Sequence, residues 1–169
     1  MDFTKKDRIV LINQYQILKR LGSDNSSHYE ELIEILESGY EIFYSIIGEQ
    51  VSEEMSTSEG ALVLDILSIY GLIEAYKRDN RNDAEIGDHD WSSFRGFDGN
   101  NETRYMAFTR FLVDKQGKFA EQARRKKETD DFNSHMPLLD KYRKMVEVWR
   151  GIQPPHDLSR DQILAILNA

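Results

Sequence analysis

The chain has 169 residues, 40% hydrophobic and 31% charged, which suffices for a folded domain with a real core and excludes a disordered class. It contains no cysteine, so disulfide frameworks, thiolate zinc sites and a cysteine nucleophile are excluded, and a reducing compartment, the cytoplasm, is expected. The net charge of −8 opposes non-specific nucleic-acid binding, and the apolar runs are too short and too interrupted to span a bilayer.

The charge is unevenly spread. Residues 1–21 carry five basic and two acidic groups, whereas residues 22–60 carry ten acidic groups and no basic one. Residues 101–169 are net basic again, with thirteen basic groups against ten acidic. Such segregation suggests that the acidic block faces a basic one, within a chain or across a subunit boundary.

A first helix is predicted from Thr4 to Leu21. Thr4 is a natural N-cap, with Asp7 three residues on, near the positive helix end. Val10, Ile17 and Leu21 fall on one side, with Leu11, Tyr15 and Leu18 beside them. Gly22 stops the helix, and Ser23-Asp24-Asn25 make a turn. A second helix opens with a capping box, Ser27-x-x-Glu30, and places Leu32, Leu36, Phe43 and Ile47 on one stripe. Glu30, Glu34, Glu37 and Glu41 line the far side, and Gly39 lies inside the pattern as a kink or close contact. A third helix starts at a second capping box, Ser56-x-x-Glu59. It runs through Leu62, Ile66, Ile69, Ile73 and Tyr76, is apolar round much of its circumference, and is expected at the centre of the fold.

Residues 77–99 read as a long polar loop with room for a short helix around Ala84; Trp91, Phe94 and Phe97 then pin its end to the core. A fourth helix is predicted from Asn101 to Val113, carrying Tyr105, Phe108 and Leu112, with Asp98 or Asn100 as its cap. Residues 118–131 have no clear period. A fifth helix starts near Pro137, carries Leu138, Tyr142, Met145 and Trp149, and ends at Gly151 and Pro154-Pro155. A third capping box, Ser159-x-x-Gln162, opens a sixth. The prediction is an all-α, multihelical single domain over residues 1–169, with about six helices. Packed lobes at 1–80 and 91–169 are the other organisation it allows. Ten of the 18 aromatic residues fall between Trp91 and Trp149, which predicts an aromatic-rich cluster there.

Several of these residues carry a family resemblance. Arg8-x-x-Leu11-x-Asn13-Gln14-Tyr15-x-Ile17-Leu18, Gly39-Tyr40, and Gly96-Phe97-Asp98 followed by Glu102 and Tyr105 resemble the YfbU family of bacterial proteins. Phe132-Asn133, Pro137, Lys141-Tyr142, Met145, Trp149 and the final Asn168-Ala169 continue the likeness. The resemblance covers nearly the whole chain and is weakest over residues 77–93 and 119–131. It implies an all-helical fold and brings no catalytic residues or cofactor.

Reactive centres are scarce. No His-Glu-x-x-His, Gly-x-Ser-x-Gly or phosphate-binding glycine loop occurs, so no catalytic residue and no cofactor is assigned. One permissive metal pattern casts His28, His89, Asp90 and Asp131 as ligands of a metal-dependent phosphohydrolase acting on a nucleotide or phosphate ester; a polar loop supplies such pairs by composition alone. The glutamate stripe of the second helix lacks the matching Glu-x-x-Asp that a magnesium-binding helix pair requires, so it reads as a solvated acidic face. Arg124 to Lys127, extended by Lys141, Arg143 and Lys144, is the patch a nucleic-acid-associated factor would use. In an acidic protein it reads instead as solvated or inter-subunit surface. Asn13 and Gln14 stand out as two amides amid apolar neighbours, either solvated or hydrogen-bonded at a helix contact or subunit interface. Asp98 or Arg104 nearby would turn them towards a ligand. The expectation is therefore a non-enzymatic helical interaction or regulatory protein that self-associates, with room for another protein partner.

Overall fold

Helix caps and interruptions set the architecture seen in a computed structural model, which describes residues 2–22, 25–48, 51–153 and 156–169. The described residues are helical with no strand; one isolated bridge joins Phe97 and Asn133. Contacts divide the chain into two compact units, Met1–Glu54 and Met55–Ala169.

In the amino-terminal unit, α1 (Lys5–Arg20) is capped as expected: the Thr4 hydroxyl accepts from the Asp7 amide, and the Asp7 carboxylate accepts from the Thr4 amide at 2.9 Å. Helix α2 (Ser26–Ser38) starts one residue before the expected cap. Its N-cap is Asn25 and makes no side-chain cap bond, so the predicted Ser27–Glu30 box does not form. Glu30 pairs with Lys19 of α1 at 2.6 Å instead. The second helix does not run on through Gly39. That residue adopts φ +72°, and the amides of Gly39 and Tyr40 both return to the Ile35 carbonyl at 3.0 Å. A 3₁₀ turn (Glu41–Phe43) and the short α3 (Tyr44–Gly48) follow. The break turns Phe43 out of the expected apolar stripe, and it is exposed. Buried Ile35, Leu36 and Tyr44 make the core here, with Phe3, Leu11, Ile12, Tyr15 and Ile47 packed round them.

The carboxy-terminal unit is built on α4 (Thr57–Asp79), whose Ser56–Glu59 capping box forms as expected. It buries Val63, Ile66, Leu67, Ile69, Tyr70 and Ile73. The expected polar loop shortens, because α4 runs to Asp79 and α5 (Ala84–Gly87) follows, with Asp83 capping it. Helix α6 (Thr103–Arg110) passes into a π-turn (Phe111–Lys115). Its N-cap position is Glu102, so neither Asp98 nor Asn100 occupies it. The segment without a period holds a 3₁₀ turn (Ala120–Gln122) and α7 (Ala123–Glu128). Helix α8 (Leu139–Arg150) and α9 (Arg160–Leu167) complete the unit, α9 with the predicted Ser159–Gln162 box. Both α6 and α8 pack on α4. Gly151 is the C-cap of α8; the expected stop at Pro154-Pro155 lies outside the described residues, as do Ser23 and Asp24 of the first turn.

Nine α-helices thus stand among the described residues where about six were expected. The additional ones, α3, α5 and α7, have five, four and six residues. That is too short for a 3.6-residue period to repeat. The boundary between the two units falls after Glu54.

Candidate interaction surface

Two places gather the residues that the sequence singled out. The first is a crossing inside the carboxy-terminal unit. Residues 96–99 run against 132–134: the Phe97 amide donates to the Phe132 carbonyl at 2.9 Å, and the Ser134 amide donates to the Phe97 carbonyl at 3.0 Å. Gly96 has φ +87°, and a Cβ there would sit 2.1 Å from the Phe132 oxygen, so only glycine fits. The Asn133 side-chain oxygen accepts the amides of Gly99 and His135, both at 3.0 Å. Buried Glu102 binds the next segment: one carboxylate oxygen accepts the Leu138 and Leu139 amides at 2.8 and 2.7 Å, and the other accepts the Asp98 amide at 2.9 Å. The buried carboxylate therefore satisfies amides at the start of α8 that have no partner within the helix, and faces its positive end. Beneath, Phe94, Phe97 and Tyr142 pack with ring centroids 5.5–5.8 Å apart. Burial holds the Tyr142 hydroxyl well above its ordinary pKa, and it donates to the Gly96 carbonyl at 3.1 Å.

This crossing accounts for Asp98. It is buried, and its carboxylate accepts from the Asn100 amide and the Asn101 side chain, which lower its pKa, the Asn101 bond most. Arg104 is an exposed ion-pair partner of Glu59 at 3.3 Å. The backbone opposite Gly96 is strained: Asp130, Asp131 and Phe132 have φ of 45°, 59° and 64°. The sequence offered Gly96 and Glu102 as parts of a motif but gave neither a role.

The proposed metal residues are engaged separately. His28 is exposed on α2, in the other unit. His89 accepts the Trp91 amide at Nδ1, 3.1 Å, and its Nε2 lies 3.4 Å from the Asn168 side-chain oxygen. The Asp90 carbonyl accepts from Arg95, and the Asp131 carboxylate pairs with Arg110 at 2.9 Å and Lys126 at 3.2 Å. Among the described residues no group of three or more histidines and carboxylates is placed to hold a metal ion. In the basic run, Arg124 and Arg125 pair with Glu128, and Lys126 with Asp114 and Asp131.

The second place is the outer side of α1. This helix contains no buried residue. Leu11, Ile12 and Tyr15 turn towards the small core, and Tyr15 stacks on Tyr29 of α2 at 5.8 Å. Helical spacing puts Val10, Asn13 and Ile17 on the opposite side, with Gln14 and Leu21 next to them. All five are exposed, Ile17 by 58% and Leu21 by 76%. Asn13 and Gln14 are thus solvated amides within an apolar strip, in a different unit from Asp98 and Arg104.

These motifs decide the relationship. The YfbU domain matches residues 1–169. The chain belongs to the YfbU family. It is also 55% identical over 168 residues to the UPF0304 protein MJECS11 of Methanocaldococcus jannaschii, covering 98% of this chain and 99% of that protein. The Gly96-Phe97-Asp98 segment that carries the resemblance lies, in this structure, in the crossing held by Gly96 and Glu102, where it serves packing. No helix among the described residues is long and apolar enough to cross a membrane.

Proposed function

We propose that the protein is a non-enzymatic helical interaction or regulatory protein that works as a homo-oligomer, with the outer face of α1 as its self-association surface. The observation that carries this reading is a sixteen-residue helix without one buried residue, on whose outer side Val10, Ile17 and, at its C-cap, Leu21 are exposed together. Single exposed apolar residues are ordinary, but a contiguous apolar strip marks a contact surface. Its occupant is a second copy, because the charges fit. Lys5, Lys6 and Arg20 of α1 form no ion pair within 4 Å among the described residues, Lys6 acting only weakly on its neighbour Asp7, and Glu31, Glu34, Glu37 and Glu41 form none either. An amide within such a strip fixes register at the expense of some affinity, a role that suits Asn13 and Gln14. Light scattering at micromolar concentration should give a mass above the 19.8 kDa of one chain. Ile17→Glu should lower that mass with the far-ultraviolet circular dichroism unchanged. A strictly monomeric wild type refutes the reading.

A further inference from the structure

Two pairings could cover the α1 strip with a second copy: α1 against α1, or α1 against another surface of that copy. Charge decides between them. Lys6 and Arg20 flank Val10, Asn13 and Ile17 on the outer side of α1, at helical spacings of four, three, four and three. Paired with itself, this side would bring like charges together at its edges, which disfavours association. It needs an acidic and apolar acceptor.

The amino-terminal unit has one. Glu31, Glu34, Ile35, Tyr40, Phe43 and Ile46 line a groove of about 250 Å³. Gly39 creates it: by ending α2 it swings the following turn round and leaves Tyr40 and Phe43 exposed beside the two glutamates. The groove lies on the side of α2 away from the Tyr15–Tyr29 stack, so the unit's own α1 does not fill it. It is smaller than the roughly 300–1,000 Å³ of small-molecule sites and suits the side chains of an incoming helix.

We infer that the outer face of α1 in one copy docks into the Glu31–Glu34–Tyr40–Phe43 groove of a second copy, Val10 and Ile17 entering between the aromatic rings while Lys6 and Arg20 meet the glutamates. This inference rests on the self-association reading and gives it an acceptor. The two surfaces differ, so the contact is heterologous, one copy giving its helix and the other its groove.

Complementary variants test it. Ile17→Glu blocks the helix and keeps the groove, and Phe43→Glu blocks the groove and keeps the helix. Both side chains are exposed, so both variants should keep the wild-type circular dichroism. Each alone should scatter as a single chain, and an equimolar mixture should form a one-to-one pair of twice that mass. Phe43→Glu retaining the wild-type mass, or a mixture that stays monomeric while the wild type assembles, overturns the groove as acceptor and leaves self-association standing. A monomeric wild type overturns self-association itself. In the wild type, raising salt from 50 to 500 mM should weaken assembly at least tenfold if charge steers the docking; no change overturns the role of the glutamates.

Discussion

The two units use similar residues in different ways. The carboxy-terminal unit buries Tyr70, Phe94, Phe97, Phe132 and Tyr142 in one aromatic cluster under α4, and most of its cations have carboxylate partners beside them, such as Arg150–Asp65 at 2.6 Å and Arg160–Asp83 at 2.8 Å. Among its described residues the amino-terminal unit clusters Ile35, Leu36 and Tyr44 at its centre, with Leu32 also buried, exposes much of its apolar mass on α1 and around Tyr40–Phe43, and leaves four glutamates of residues 31–41 without an ion-pair partner. A unit that satisfies its own groups has little to offer a partner. One that leaves apolar strips and matched charges uncovered gains by association, since burial of apolar area drives it. The difference separates packing motifs from contact surfaces more clearly than either region would alone.

The largest way to break the comparison is at Gly96. Gly96→Ala must force a side chain into the Phe132 carbonyl at positive φ, and should destabilise the carboxy-terminal unit by about 4 kcal/mol or more. Both tryptophans, Trp91 and Trp149, lie in that unit, so fluorescence-detected urea melts report on it directly. An unchanged midpoint would mean that the crossing does not hold the unit together. Glu102 comes next. Glu102→Ala leaves the Asp98, Leu138 and Leu139 amides unpaired and should cost about 3 kcal/mol, because charged hydrogen bonds contribute roughly 1.5–3 kcal/mol. Glu102→Gln keeps one accepting oxygen and should cost less, about 1–2 kcal/mol. If both variants melt with the wild type, the carboxylate does not hold α8 in place.

Much of the fold was legible in the residues and much of the surface was not. Capping boxes at Thr4, Ser56 and Ser159 are local chemistry, and all three form. The apolar period of residues 62–76 gave the central helix of its unit, because a mostly apolar helix has to be buried. Gly39 makes the close helix contact that its place in the pattern allows, since a Cβ there would sit 2.8 Å from the Arg8 guanidinium of α1, but the helix ends there at φ +72° instead of kinking. That one residue moved Phe43 from core to rim. Ser27 and Glu30 had the spacing of a cap, but Glu30 found Lys19 first. The helical period of α1 set Leu11, Tyr15 and Leu18 beside Val10, Ile17 and Leu21, whereas Leu11 and Tyr15 meet the core and the other four are exposed. Glu102 was invisible as a cap because the amides it binds lie 36 and 37 residues further along the chain.

The smallest effect compares the two acidic caps. Glu59 is held down to a pKa of about 2, first by the Ser56 hydroxyl, then by the Ser56 amide, with Arg104 and Tyr105 adding to it. Asp7 is lowered by the Thr4 hydroxyl and amide, with only a minor contribution from Lys6. Both are depressed carboxylates, so each contributes stability that is present above its unfolded value and fades as pH falls through the folded one. For Glu59 that window runs from its ordinary 4.5 down to about 2. Between pH 5 and pH 2 the fluorescence-detected midpoint should therefore fall in the wild type, and Glu59→Gln should flatten part of that fall. Asp7→Asn should leave the fluorescence profile alone and act on the circular dichroism of α1, since no tryptophan lies in its unit. Equal pH slopes in wild type and Glu59→Gln would mean that Ser56 caps α4 as well without the charge as with it.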